Sequence, residues 1–340
     1  MGNRNSLPDG GGGAAHDCAQ DFWKKIQQRK KDGYHCMSVQ SNDSIDKNYR
    51  AHEENIDKMV DEKQRYFFDL KNQDCAAYKF TIESLQYLDP FLDPVKTWLT
   101  VADYNGFEAH YLLQQEVKNV TASDLSDAML KEAKGEGFIS DYSKQNVESM
   151  TYGDNAFDYV MCKQAFHHFP RAYQGLYEMI RVSKMAAILV AEPIDILSKM
   201  ASLMVIKNVL DRINPLLINK LWKNRFSFET VGNYVFKVSE REMEKIAMGI
   251  GLPFIAFKRL NIFATHETIE GLGDVPLNQK VYKRIRRKLA LRNLVSAMGI
   301  IPYGSLGCVL FKEQPSGEVI RKMKDRGFIT LQLPANPYLA

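Results

Sequence analysis

The chain has 340 residues, 45% of them hydrophobic, with 45 Lys and Arg against 41 Asp and Glu for a formal net charge of +4. That supplies apolar material for one large or two small cores. A sequence pI near 8.6 falls short of the strongly basic signature of a nucleic-acid binder, so no nucleic-acid partner is expected. The most apolar stretch, Ile196 to Leu217, is interrupted by Lys199, Lys207, Asp211 and Arg212, which argues against a membrane span. The five cysteines, Cys18, Cys36, Cys75, Cys162 and Cys308, are odd in number and lack any CxxC spacing, so neither a disulfide scaffold nor a zinc site is expected. Reduced thiols in a cytoplasmic protein fit best.

Residues 1–20 are polar, with four consecutive glycines, and read as a disordered leader without the basic-then-apolar form of a signal peptide. Met1-Gly2-Asn-Arg-Asn-Ser6 matches the N-myristoylation pattern, although a single acyl chain needs a second signal for stable anchoring. Residues 21–90 read as an N-terminal helical lid: Tyr49, His52, Ile56, Met59 and Val60 mark a stripe at three- and four-residue steps, and Phe80 to Leu88 suggest a second helix stopped by Asp89-Pro90. Tyr49 and His52 either pack the lid or close it over a ligand.

The core occupies residues 91–194. An apolar run from Thr97 to Val101 enters the turn Ala102-Asp-Tyr-Asn-Gly106, and a second run, Val120 to Ser123, ends on Asp124, eighteen residues past Gly106. Strand, turn, helix, strand, acid is the spacing of a nucleotide-binding half-domain. A carboxylate ending the second strand can accept from both hydroxyls of a ribose, each charge-assisted bond being worth about 1.5–3 kcal/mol. An adenosine-bearing ligand is expected.

Residues 195–236 are rich in Met and Leu and then in aromatics, Phe226, Phe228, Tyr234 and Phe236, and read either as an inserted cap or as more core helix. Residues 237–313 complete the core: Ser239-Glu-Arg-Glu242 has the form of a capping box, opening a helix that ends at Gly249 and Gly251, and Leu252–Leu260 and Leu306–Phe311 are strand-like. Lys280 to Arg292 carries seven cations and no acid, with Val281, Ile285 and Leu289 on the other side; it is a solvated helix face, an attractor of anionic substrate, or a peripheral membrane contact. Residues 314–340 read as a C-terminal tail.

After Asp124 the chain continues Asn146-Val-Glu148, Asp154 to Lys163, His167-His-Phe-Pro170, Leu176 to Val182 and Ile188 to Pro193. This succession resembles the class I S-adenosylmethionine-dependent methyltransferases, in particular a bacterial-type branch with an HHF segment after the fourth strand, closely in the middle of the chain and loosely to Lys312. The resemblance implies an α/β, Rossmann-like fold with a seven-stranded, mostly parallel sheet whose last strand is antiparallel, plus the lid and the cap. It also implies S-adenosyl-L-methionine as cofactor and methyl transfer to an oxygen or nitrogen of a small molecule or glycoconjugate. Two alternatives stay open: the same cofactor used for cyclisation or transfer of another carbon, and a non-catalytic binding or scaffold protein.

Carried onto this chain, the resemblance places Ala102, Asp103, Tyr104 and Gly106 around the methionine part of the cofactor, Asp124 on the ribose, Leu125 and Met129 against adenine, and Asn146, with the backbone of Val147, at the adenine amino group. Lys163 and Gln164 lie at the rim, to orient cofactor or substrate. His167 and His168 follow the fourth strand and are candidate bases. Adjacent residues of an extended chain face opposite ways, so one of them is expected in the pocket, preferentially His167. Glu192 is a second candidate base or a brace for the following loop. The turn departs from the family in having Ala102 and Tyr104 where glycines are usual, and a side chain held in the left-handed conformation costs about 1–2 kcal/mol. Asp103 and Asn105 are the side chains that could compensate by bonding the ligand's amino group.

Overall fold

Central strands buried on both faces need a run of apolar residues through their middles, and three segments supply it, with polar and charged residues mostly toward their ends: β1 (Thr97–Val101), β4 (Phe157–Lys163) and β5 (Ser183–Pro193). They join β2 (Asn119–Asp124), β3 (Asp141–Lys144), β6 (Phe254–Leu260), β7 (Ser305–Phe311) and β8 (Ile329–Gln332) in one sheet of order β3-β2-β1-β4-β5-β7-β6-β8. The first five strands pair in parallel; β7 is antiparallel to both β5 and β6, and β8 is antiparallel to β6. The computed structural model describes residues 45–54, 76–195, 201–214, 227–228, 232–262, 280–335 and 337–338. The leader, most of the lid and part of the cap lie outside the described residues. Contacts divide the chain into Met1–Lys47 and Asn48–Ala340, and every strand belongs to the second unit.

The pleat sorts neighbouring residues onto opposite faces. Trp98, Tyr159 and Ile188 enter one apolar cluster, while Leu99, Val160 and Leu189 enter the other. Helix α1 (Ala76–Leu85) and the 3-10 turn Gln86–Phe91 bring Leu85, Tyr87, Leu88 and Phe91 into the first cluster, so the end of the expected lid is part of the core itself. Helices α2 (Phe107–Gln114), α3 (Ala128–Gly135) and α4 (Ala172–Val182) connect the parallel strands. In α4 the buried residues Ala172, Leu176, Met179, Ile180 and Val182 define the face set against the sheet. In the cap region, helix α5 (Ala201–Ile213) and an isolated pairing of Phe228 with Tyr234 are seen.

The capping box at Ser239 is present in both directions: its hydroxyl accepts from the Glu242 N–H and the Glu242 carboxylate accepts from the Ser239 N–H, opening α6 (Glu240–Gly249). Helix α7 (Lys280–Ala297) buries Ile285 and Leu289 as expected, whereas Val281 is 37% exposed. The seven-stranded expectation is corrected to eight. Residues read as a tail contain α8 (Gly317–Asp325) and β8, which covers the edge of β6 from Phe254 to Phe257. Four residues with intermediate or exposed burial give too weak an alternation to announce an edge strand. Among the described residues no helix is long and apolar enough to cross a membrane.

At Gly307, in β7, an added Cβ would overlap the ring of Tyr87, whose hydroxyl is buried and has no hydrogen-bond partner among the described residues. Gly307→Ala therefore forces the ring to move and is expected to destabilise by about 1–3 kcal/mol. Tyr87→Phe, which removes the orphan hydroxyl, is expected to stabilise by about 1 kcal/mol. Urea-unfolding midpoints of the two variants against the wild type check both.

Candidate active site

The strand order reverses between β1 and β4, and in open parallel sheets ligands collect beyond the C-terminal ends of strands at such a point. Three non-glycine residues there adopt left-handed backbone: Ala102 (φ 54°) after β1, Gln164 (φ 52°) after β4 and Ala191 (φ 64°) near the end of β5. β1, β4 and β5 are consecutive in the sheet. Two more left-handed residues, Glu116 and Asn155, lie before β2 and β4, but the three at adjacent strand ends, each costing about 1–3 kcal/mol, make this edge the candidate site.

The turn after β1 is held by its own side chains. Asp103, 1% exposed, accepts from the Thr100 hydroxyl at 2.7 Å and from the N–H groups of Glu108 and Ala109 at 3.1 and 2.9 Å, capping α2. Asn105 Oδ1 accepts from the Phe107 N–H at 3.2 Å. Both side chains that sequence reasoning offered to the ligand's amino group are thus engaged within the turn. Gly106 keeps φ 76°, and a Cβ there would stand 2.8 Å from Ile139, so this position needs glycine on both counts. Ala102 follows the left-handed path of a glycine despite its methyl group, and Tyr104 beside it is half-buried.

Glu108 and Lys163 form a buried ion pair at 2.9 Å between the first turn of α2 and the end of β4. Burial raises the Glu108 carboxyl, but the adjacent ammonium outweighs it and holds the group below its usual range. Burial and the Glu108 charge together push Asp103 well above the usual carboxylate range. Lys163 therefore acts first as the counter-ion of Glu108, a pairing across 55 residues that no local signal announces.

Asp124 ends β2 and is 5% exposed. Burial pushes its carboxyl up to about 7, against backbone hydrogen bonds from Ser126 and Leu125 that lower it. A carboxylate has about four acceptor positions; two backbone donors leave room for the two hydroxyls of a ribose. This chemistry fits an adenosine-bearing cofactor. Leu125 is half-buried beside it, and Met129 is fully buried yet belongs to neither apolar cluster.

In the loop after β3, Asn146 Oδ1 accepts from the Glu148 N–H at 2.9 Å, and Val147 leans on the second apolar cluster. Glu148, missed as a functional candidate, has a fully buried side chain. It accepts from the Arg171 N–H and Nε, both at 2.6 Å, and from the Tyr49 hydroxyl. Burial and the Glu148 charge push the Tyr49 hydroxyl up to about 12. His52 Nε2 lies 2.9 Å from Asn233 Oδ1, and Lys144 pairs with Glu53. The helical stretch carrying Tyr49 and His52 is thereby tied to the loops of the site edge.

The histidines sit in a 3-10 turn, Phe166–His168. The expectation that they face opposite ways assumed extended chain. Here their rings are neighbours, with centroids 3.9 Å apart, and both are half-buried. His167 Nδ1 lies 2.7 Å from Oε2 of Glu192, a carboxylate with no exposed surface that also accepts from the N–H groups of Ala165, Phe166 and His167. Glu192 braces the loop and favours the His167 tautomer that donates from Nδ1, in which Nε2 is the acceptor nitrogen.

Residues 99–191 match the family described as "Methyltransferase domain". No curated protein matches the chain. Similar solved structures include a SAM-dependent methyltransferase of Archaeoglobus fulgidus (13% identity, TM-score 0.42, covering 68% of this chain and 94% of that one). The YcgJ protein of Bacillus subtilis gives 17% identity and TM-score 0.44, covering 69% and 100%. The [4+2]-cyclase SpnF gives 13% and 0.44, covering 76% and 95%. The family match identifies residues 99–191 as a methyltransferase domain, and with the Rossmann-like sheet order it supports S-adenosylmethionine as the cofactor.

If Asp124 holds the ribose as an anion, binding requires its deprotonation. Affinity for S-adenosylhomocysteine, measured calorimetrically, is expected to be flat above pH 8 and to fall about tenfold per unit below 7. Asp124→Asn should weaken binding by about tenfold or more and remove this pH dependence. The folded-state value lies above that of the unfolded chain, so the carboxyl favours folding at low pH and loses that contribution as pH rises through 7. The melting temperature of Asp124→Asn relative to the wild type should accordingly rise from about pH 4 to about pH 7 and level off above it.

Proposed function

We propose that the protein transfers a methyl group from S-adenosylmethionine to an oxygen or nitrogen of a small molecule or glycoconjugate, with His167 as the base. When bound, the cofactor supplies a methyl group already activated on a sulfonium, so the protein's task is alignment and removal of one proton. The observation that carries the reading is the buried Glu192 carboxylate on His167 Nδ1, at the rim where β4 and β5 end.

Each residue then has one task. Asp124 accepts from the ribose hydroxyls, Leu125 and Met129 border the adenine, and Asn146 with the Val147 backbone meets its amino group. Ala102, Asp103, Tyr104 and Gly106 shape the methionine end, and Lys163 is held there by Glu108. The left-handed backbone at Ala102 supports retention of the glycine-type turn, and so of the cofactor, despite the substituted sequence. His167 Nε2 accepts the acceptor's proton while Glu192 keeps the ring in the tautomer that permits it and stabilises the imidazolium that results. His168, beside it, borders the acceptor.

Screening small-molecule and glycoconjugate acceptors with methyl-labelled cofactor tests the reading. S-adenosylhomocysteine is the expected product; methylthioadenosine would indicate transfer of another carbon, and no calorimetric binding of cofactor would indicate a scaffold. His167→Gln is expected to lower kcat by about 10²- to 10⁴-fold with little change in cofactor affinity. Glu192→Gln should lower kcat by about tenfold or more and shift the pH–rate profile, which a purely structural role would leave in place.

A further inference from the structure

Helix α7 rests on the molecule through Ile285, Leu289 and Ser296. Arg286 is committed to Glu83 at 2.5 Å, and the guanidinium of Arg292 lies beside Gly304. Helical spacing turns Lys280, Lys283, Arg284, Arg287 and Lys288 the other way, and on the same outward stripe, one to three turns further on, come Leu291, Leu294 and Met298. The five cations have no ion-pair partner among the described residues. Leu291, Leu294 and Met298, with Ile300 in the loop that follows, are each more than half exposed, and Ile301 is 36% exposed.

A solvated face explains the cations but not four large apolar side chains directly beyond them. Nucleic acid would match the cations and leave the apolar end unmatched. A second copy meeting this face about a two-fold axis would set cation against cation. A bilayer with acidic headgroups offers both halves of the complement, anionic phosphate for the basic turns and hydrocarbon for the apolar ones. We propose that α7 and the loop 298–301 form a peripheral docking surface for anionic membranes.

The docked end lies at the edge that carries the site. The loop returns the chain to β7, whose first residue, Ser305, pairs with Pro193 directly after Glu192, and the Ile194 N–H donates to the Gly304 carbonyl at 3.2 Å. With the transfer reaction proposed above, this placement selects an acceptor dissolved in or displayed by the bilayer; that clause rests on the transfer reading, whereas docking itself does not.

Co-sedimentation of the full chain with vesicles, without cofactor, tests docking independently of catalysis. Binding to phosphatidylcholine vesicles containing about 30% phosphatidylserine should exceed binding to phosphatidylcholine alone by about tenfold or more and fall steeply between about 0.1 and 0.5 M salt. The variant Lys283→Gln, Arg284→Gln, Arg287→Gln, Lys288→Gln should lose this preference. The variant Leu291→Ser, Leu294→Ser, Met298→Ser should bind about tenfold or more weaker with an unchanged melting curve. Equal binding to both vesicles, no binding, or wild-type binding by the apolar variant overturns the proposal. Self-association abolished by the apolar variant would instead give the face to a second copy, and RNA binding without vesicle binding would give it to nucleic acid.

Discussion

A carboxylate with no exposed surface is tolerated where its acceptors are filled, and at Glu192 that requirement organises the site. Its oxygens take the N–H groups of Ala165, Phe166 and His167 together with the His167 ring, so the end of β5 dictates how the chain leaves β4. The 3-10 turn follows, because three successive N–H groups must converge on one side chain. Positioning of the imidazole and bracing of the loop are therefore one interaction, and a change at Glu192 cannot affect the first without the second.

The same logic of filled acceptors separates the other carboxylates by role. Asp103 and Glu148 are occupied by neighbouring protein groups and act structurally, one inside the turn and one at the junction with the Tyr49 segment. Asp124 is buried too, but among the described residues it accepts from backbone N–H groups alone, and burial raises its ionisation range. Acceptor positions left open on a buried carboxylate are what make Asp124, rather than Asp103 or Glu148, the candidate for a ligand.

Much of this was legible in sequence because it depends on local rules. The Ser239 box, the helix stop at Gly251 with its φ of 72°, and the acid ending β2 all lie where spacing puts them. The strand count, the side-by-side histidines and the roles of Glu148 and Glu108 were not legible. Glu148 is defined by partners 99 and 23 residues away, Glu108 by one 55 away, and none of these separations leaves a periodic trace. The histidine geometry turned on whether two residues lie in a strand or in a tight turn, a matter decided by Glu192 rather than by their own propensity.

The eighth strand has a consequence for the life of the protein in a crowded solution. Without β8, the backbone of Phe254-Ile-Ala-Phe257 would end the sheet as an unpaired apolar edge, a template on which another chain could add in register. β8 replaces that edge with a four-residue strand preceded by Lys322, Lys324 and Arg326, too short and too closely flanked by charge to propagate pairing. β8 thus serves colloidal safety more than catalysis: it shields an apolar edge at the far side of the sheet from the strand ends that carry the site.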